Sequence, residues 1–191
     1  MTRRLHSTEL LVVTVLLAVF PLLCGGARTA NFTLQPTANY FNNPTGVAVD
    51  LMRQYLYVAD TGNNRVLQFT GIYQPTFTSV SFPPGIFGQL GPAAANLPNQ
   101  NMSTPTLSTL NGPRGIDVNS STGDFYVADN GNNRVLWYGV STIPGGPAIG
   151  VLGQSTGTTN SSSTTASTLA GPSGVFVHGS SLWVADTNNN R

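Results

Sequence analysis

The chain contains three copies of one segment, and this repetition limits its possible folds more than any other feature. The copies occupy residues 44–69, 113–138 and 172–191. Each begins with Pro-x-Gly and a short apolar run, and continues through a polar turn into an aromatic-rich stretch that closes with Val-Ala-Asp. An Asn-rich tetrad and an Arg then follow in every copy. A smaller repeat of two apolar residues and Gly-Gln follows at 86–89 and 151–154. Repeats of this kind are supersecondary units that bury their apolar faces by stacking on one another.

The residues within each copy predict short antiparallel strands. Gly-Val-Ala-Val-Asp is a β-branched, alternating run bounded by Pro and a turn, as is typical of a strand. The tetrad Thr-Gly-Asn-Asn at 61–64 predicts a hairpin loop, because Gly and Asn tolerate the positive φ that such loops require. The third strand is Val-Leu-Gln-Phe at 66–69, and Ile-Phe-Gly-Gln at 86–89 predicts a fourth. The sequence therefore predicts an all-β protein whose four-stranded antiparallel units are the blades of a β-propeller.

These phrases resemble NHL repeats. Val-Ala-Asp-Thr-Gly-Asn-Asn-Arg-Val at 58–66 and Pro-Thr-Gly-Val-Ala-Val-Asp at 44–50 carry the likeness. The resemblance implies a propeller of typically six blades, with the Gly-Val-Ala-Val strand nearest the central axis. The small residues Gly46, Gly115 and Gly174 agree with a crowded axis. In the third copy Asn188 replaces the loop glycine.

The repeats define the expected domain organisation. A partial propeller is expected over 31–191, and the blade cores are expected at about 43–89, 112–154 and 171–191. The third copy stops where a further strand would follow. Because a propeller removes its exposed edges by closing a ring, we expect about two and a half blades of a longer, incomplete propeller.

The composition excludes two classes of protein. Only 8% of the residues are charged, against about 25% in ordinary soluble domains. The chain has no Lys and a single Glu, which are the usual residues of exposed helix faces. We therefore expect neither a helical domain after residue 30 nor a nucleic-acid partner, since phosphate binding needs clustered Lys and Arg.

Residues 1–30 have the pattern of a secretory signal peptide. Two arginines precede an apolar run over 10–23, and small residues follow at 25–27. The run is short for a membrane span, which needs about 20 apolar residues; an uncleaved signal anchor is the alternative. The only cysteine, Cys24, lies in this leader. We therefore expect a secreted or lumenal protein, or the ectodomain of a membrane-anchored one.

A secreted chain of eukaryotic origin would also be open to glycosylation. The loop 155–169 is largely Ser and Thr, a composition that favours O-linked sugar. Four Asn-x-Ser/Thr sequons are candidate N-glycosylation sites: Asn31, Asn101, Asn119 and Asn160.

An Asp and an Arg recur in every copy, five residues apart. A ring of carboxylates that binds a cation is one interpretation. We favour a structural role, in which each Asp accepts hydrogen bonds from its own loop and pairs with its Arg, because a feature present in every blade is architecture. The pairs are Asp60 with Arg65, Asp129 with Arg134, and Asp186 with Arg191.

Three residues interrupt the repeat and are the candidate functional positions. Trp137 replaces Gln68, Asp117 replaces an apolar residue inside a strand, and His178 is the only histidine after the leader. If buried, Asp117 needs a partner, for which Arg114 is the nearest candidate. The repeated aromatic position, by contrast, predicts core packing between blades; it holds Tyr57, Tyr126 and Trp183.

The sequence favours a binding or scaffold module over an enzyme. We expect no catalytic residues, no metal site and no cofactor in this segment, and a protein, peptide or glycan as the ligand. The alternative is an NHL-like enzyme of the lyase or lactonase class. The resemblance implies several metal-binding histidines for such an enzyme, and they would have to lie mostly in further blades. A membrane partner is expected only through the leader or a C-terminal anchor.

Overall fold

The structure is a computed structural model that describes residues 41–72, 85–90 and 97–191. The described residues contain ten strands. The first four-stranded sheet consists of β1 (Pro44–Asp50), β2 (Tyr55–Asp60), β3 (Arg65–Thr70) and β4 (Gly85–Phe87). The second consists of β5 (Pro113–Val118), β6 (Phe125–Asp129), β7 (Arg134–Tyr138) and β8 (Gly150–Leu152). A two-stranded unit follows, with β9 (Gly174–His178) and β10 (Ser181–Ala185).

Each four-stranded sheet is an antiparallel meander in chain order. The first three strands pair along most of their length, whereas the fourth pairs over three residues only. The prediction of an all-β protein with four-stranded antiparallel units is therefore confirmed. We call the two sheets blade 1 and blade 2, and the β9–β10 hairpin unit 3.

A short 3-10 turn follows the second strand of each unit. These turns span Thr61–Asn63, Asn130–Asn132 and Thr187–Asn189. In each case the next Asn adopts the left-handed conformation, with φ of 53°, 54° and 55°. We call the segments 61–64, 130–133 and 187–190 the Asn turns. A fourth 3-10 segment, Pro98–Asn101, lies in the connection from blade 1 to blade 2.

The main core lies between blades 1 and 2 and is largely aromatic. The Phe125 ring stacks on Tyr57 at 4.5 Å and on Tyr138 at 4.7 Å, and Phe87 packs edge-on against both Phe125 and Tyr138. A second buried cluster, which includes Leu56 and Phe69, lies on the other face of blade 1. The stacking of blades that the repeat predicted is thus the source of most of the buried apolar surface.

The inner strands of successive units lie side by side. β1 contacts β5, and β5 contacts β9. A Cβ placed on Gly46 would overlap the Arg114 carbonyl oxygen, and one on Gly115 would lie 2.6 Å from the Gly174 Cα. Glycine is needed at these two positions because the backbones approach too closely for any side chain.

The repeated aromatic position does not have one environment. Tyr57 is buried against Phe125, Tyr126 is half-buried, and 66% of Trp183 is exposed. The prediction of a core position is therefore wrong for Trp183. Its face of unit 3 has no cover among the described residues, whereas the same face of blade 1 is covered by blade 2.

The buried hydroxyl of Tyr138 makes no hydrogen bond to any described residue. Since an unpaired buried hydroxyl costs about 1–3 kcal/mol, we expect Tyr138→Phe to raise the free energy of unfolding by about 1 kcal/mol. Tyr57→Phe is the matched control, because Gln68 donates to the Tyr57 hydroxyl at 2.9 Å. Chemical denaturation should therefore show the two substitutions changing stability in opposite directions. A loss of stability in Tyr138→Phe would mean that its hydroxyl has a partner.

Candidate binding surface

The repeated Asp residues are fully occupied by structural hydrogen bonds. In blade 2, Asp129 Oδ1 accepts the Asn111 N–H at 2.7 Å. Its Oδ2 accepts the Asn132 amide at 2.8 Å and the Arg134 Nε–H at 2.7 Å. Asp60 and Asp186 make the same set of contacts with their own repeats. These carboxylates tie the start of each unit to its Asn turn and have no free face for a ligand.

The repeated Arg residues extend this network to the loops. Arg134 also donates to the carbonyl oxygens of Thr106, Thr109 and Gly157, at 2.6–2.9 Å. Arg191 donates to three carbonyl oxygens in the loop before unit 3. Each of these two guanidiniums holds an irregular connection against the end of a sheet.

The left-handed Asn of each turn links neighbouring units. The Asn64 side-chain oxygen accepts the Gly112 N–H at 2.7 Å, and Asn133 accepts the Gly171 N–H at 2.8 Å. Both glycines begin the next unit, so the bond fixes one blade relative to the following one. The equivalent Asn190 is exposed and makes no side-chain hydrogen bond to a described residue.

Asp117 bridges blade 2 and unit 3. It is half-buried, its Oδ2 accepts the Val177 N–H at 2.7 Å, and its Oδ1 accepts the Val118 N–H. Its partners are therefore backbone amides, and the exposed Arg114, proposed from the sequence as a partner, makes no described bond to it. This role is structural, because the Asp117 carboxylate pairs a backbone N–H of β9 that faces β5.

Asp50, Asn119 and His178 occupy equivalent positions at the ends of the inner strands, but they do not form a common site. Asp50 is buried and pairs with Arg53 at 3.0 Å, and Arg53 reaches the Thr122 carbonyl oxygen. Asn119 donates to the Gly179 carbonyl oxygen. His178 is exposed and stacks on Phe176 at 6.3 Å. The hydrogen bonds link the three turns to one another rather than aiming side chains at a shared point.

Trp137 is half-buried and stacks on Tyr126 at 6.0 Å across the strand pair. Its Nε1 is buried and has no hydrogen-bond partner among the described residues. The ring therefore packs on blade 2 and is not an open platform.

The strand directions place the turns of the β1–β2, β5–β6 and β9–β10 hairpins at one edge of the blades. β1 ends and β2 begins there, and the Arg53 bond to Thr122 joins this turn to the β5–β6 turn. The β7–β8 loop starts at the same edge, since Tyr138 pairs with Phe125 and the Val140 N–H bonds to Asp124. We call this set, comprising 51–54, 119–124, 139–149 and 179–180, the turn edge. The Asn turns, residues 88–90 and the connections 97–112 and 153–173 form the opposite edge, where Gln89 donates to the carbonyl oxygens of Asn64 and Leu97.

The turn edge exposes apolar side chains that sequence reasoning did not single out. Met52 and Ile143 are each 73% exposed. Among the residues that the structure describes, the set on this edge is Leu51, Met52, Val140, Ile143 and Ile149. Exposed apolar groups are typical of an interaction surface where they form one patch. Within the described ranges, the opposite edge exposes fewer such side chains, namely Leu90, Leu97 and Met102.

The turn edge offers little net charge to a ligand. Asp50 and Arg53 neutralise each other, and Asp124 accepts a backbone N–H. No three His, Cys, Asp or Glu side chains in the described ranges are grouped so as to hold a metal ion. The helical segments of these ranges are all too short to cross a membrane. The leader and Asn31 lie outside the described residues.

Comparison with known families identifies the repeat. The family model for the NHL repeat matches residues 41–69 and 110–138. A search of the curated proteins found no match. Among solved structures, a luciferin-regenerating enzyme is similar, with 14% identity and a TM-score of 0.48. The match covers 78% of this chain and 36% of that chain, so the chain spans about a third of that enzyme's length.

The two repeat matches coincide with the two four-stranded sheets. The chain is therefore built as an NHL-type β-propeller, of which the described residues form two blades and a two-stranded third unit. The predicted resemblance is confirmed for the first two copies of the repeat.

Proposed function

We propose that the protein is a secreted or lumenal binding module that holds a protein or peptide on its turn edge. The observation that carries this proposal is the group of exposed apolar side chains on that edge, around charges that neutralise each other. Such a surface suits a partner with an apolar contact region.

A glycan ligand fits this surface less well. Sugar rings bind by stacking on aromatic side chains, and none of the five exposed apolar residues that the structure describes at the turn edge is aromatic. The exposed aromatic residues Phe176 and Trp183 lie on a face of unit 3 instead. Protein or peptide binding is therefore the favoured form of the proposal.

The test compares two double variants of the full chain, secreted from cells and used as bait. Met52→Ser with Ile143→Ser changes the turn edge, and Leu90→Ser with Met102→Ser is the control at the opposite edge. A buried apolar side chain contributes about 1.5 kcal/mol, so we expect affinity for the partner to fall about 100-fold in the first variant only. Quantitative mass spectrometry of the captured proteins measures the difference. Equal capture by the unmodified chain and by both double variants would contradict binding at the turn edge.

The compartment is tested separately with the unmodified chain. We expect the leader to be removed and the protein to appear in the medium or the secretory lumen. Cytosolic protein with residues 1–27 intact would contradict this part of the proposal.

A further inference from the structure

We infer that, of the three sequons that the structure describes, two carry N-linked oligosaccharide. These are Asn101 and Asn160 at the opposite edge, whereas Asn119 at the turn edge is unmodified. The inference rests on the proposed secretory location. It adds a specific modification pattern, which would cover the edge of the Asn turns and leave the turn edge open to a partner.

Asn101 and Asn160 occupy corresponding connections. One lies between β4 and β5, and the other between β8 and β9. In both sequons all three residues are exposed, and neither Asn side chain makes a hydrogen bond to a described residue. Their amide nitrogens are therefore free to carry a large group that projects into solvent.

The backbone of each connection is nevertheless fixed. Gln89 donates to the carbonyl oxygens of Asn64 and Leu97, which holds the first connection against its Asn turn. Gln154 does the same in the second, where it donates to Asn133 and to Ser161 within the sequon. The Asn133 amide also donates to the Asn160 carbonyl oxygen at 2.9 Å. A glycan at either site would leave these backbone contacts unchanged.

Asn119 differs from these two residues in its exposure and in the hydrogen bonds of its side chain. Its side chain is half-buried at the turn edge, its Oδ1 accepts the N–H groups of Ser121 and Thr122, and its Nδ2 donates to Gly179 of unit 3 at 3.2 Å. An oligosaccharide on this nitrogen would have to fit between two units. The folded, secreted protein is therefore expected to be unmodified here.

The reaction requires a lipid-diphosphate-linked oligosaccharide as the donor. The Asn amide nitrogen forms a bond to C1 of the first sugar, while the bond from C1 to the phosphate oxygen breaks. The amide nitrogen loses one proton, and the lipid diphosphate leaves. No redox change occurs.

The test uses the full chain expressed in a eukaryotic secretory host. Every protein carries Thr33→Ala, because Asn31 lies outside the described residues and would confuse the count. Ser103→Ala, Ser162→Ala and Ser121→Ala each remove one sequon without changing its Asn. Enzymatic deglycosylation in heavy-oxygen water, followed by peptide mass spectrometry, marks each formerly glycosylated Asn as a labelled Asp.

We expect two occupied sites in the secreted protein. Ser103→Ala and Ser162→Ala should each remove one glycan, the double variant should remove both, and Ser121→Ala should remove none. Occupancy of Asn119, or an empty Asn101 or Asn160, would overturn the inference. A second version with a generic secretory leader fused in front of the chain separates the two proposals. If only that version is secreted, the proposed location fails while the glycosylation pattern is still tested.

Discussion

Replacing Arg134 with Ala is expected to lower the free energy of unfolding by about 3–5 kcal/mol. The side chain is completely buried and pairs with the equally buried Asp129 at 2.7 Å. Removing it leaves an uncompensated carboxylate and three carbonyl oxygens without their guanidinium donors. Urea denaturation monitored by tryptophan fluorescence measures the loss.

The third repeat supplies a matched control for this substitution. Arg191 makes the same bond to Asp186 at 2.7 Å, but 42% of its side chain is exposed. Because solvent reaches the Arg191 side of this pair and screens it, Arg191→Ala is expected to cost less, about 1 kcal/mol. Arg134→Lys is a milder variant for the case in which Arg134→Ala does not fold. It keeps the charge but loses the planar fork of donors, so an intermediate loss is expected. Equal effects of Arg134→Ala and Arg191→Ala would contradict the role assigned to burial.

Gly115→Ala is expected to lower the free energy of unfolding by about 2 kcal/mol through overpacking. The new Cβ would lie 2.6 Å from the Gly174 Cα, 2.8 Å from the Ser173 carbonyl oxygen and 2.9 Å from the Val175 nitrogen. All three are backbone atoms, so β9 would have to move away from β5. Thermal unfolding of the purified variant measures the cost.

Gly174→Ala tests the same position in the next copy of the repeat. There a Cβ meets only the Ala185 side chain, at an ordinary distance of 3.5 Å. We therefore expect a change in stability of less than about 0.5 kcal/mol. A large loss in Gly174→Ala would show that another segment packs on this face of unit 3.

The repeat predicted the strands and their stacking because both depend on a local pattern that occurs three times. It was less informative about the loop glycine. The left-handed residue of each Asn turn is its last Asn, as at Asn64, and neither Gly62 nor Gly131 has a positive φ. Gly131 is needed for space instead, since a Cβ there would lie 2.5 Å from the Asn111 side chain.

This packing explains the departure at Asn188. In the third copy the residue that corresponds to Asn111 is the small Ala170, and the Asn188 N–H bonds to its carbonyl oxygen. In blade 2 the large residue of this pair lies before the strands and the small one in the turn, whereas in the third copy the large residue lies in the turn. The exchange involves positions 18 residues apart in the chain, so a local reading of the turn could not detect it.

The candidate surface was harder to predict than the fold. Leu51 and Met52 lie in a turn, and Ile143 and Ile149 lie in a segment that is not repeated, so no periodic pattern marks them. Their common location depends on the direction of the strands and on the bond from Arg53 to Thr122. The interpretation of Trp183 failed for a related reason, because its burial depends on what packs against unit 3 and not on its own repeat.

We propose that the protein binds a partner through the turn edge. The most direct measurement is site-specific photo-crosslinking of the secreted full chain in the cells that make it. A photoreactive amino acid is placed at Met52 in one protein and at Leu90 in another. The account predicts a discrete crosslinked species from position 52 and none from position 90. Crosslinks from position 90 alone, or from neither position, would contradict it.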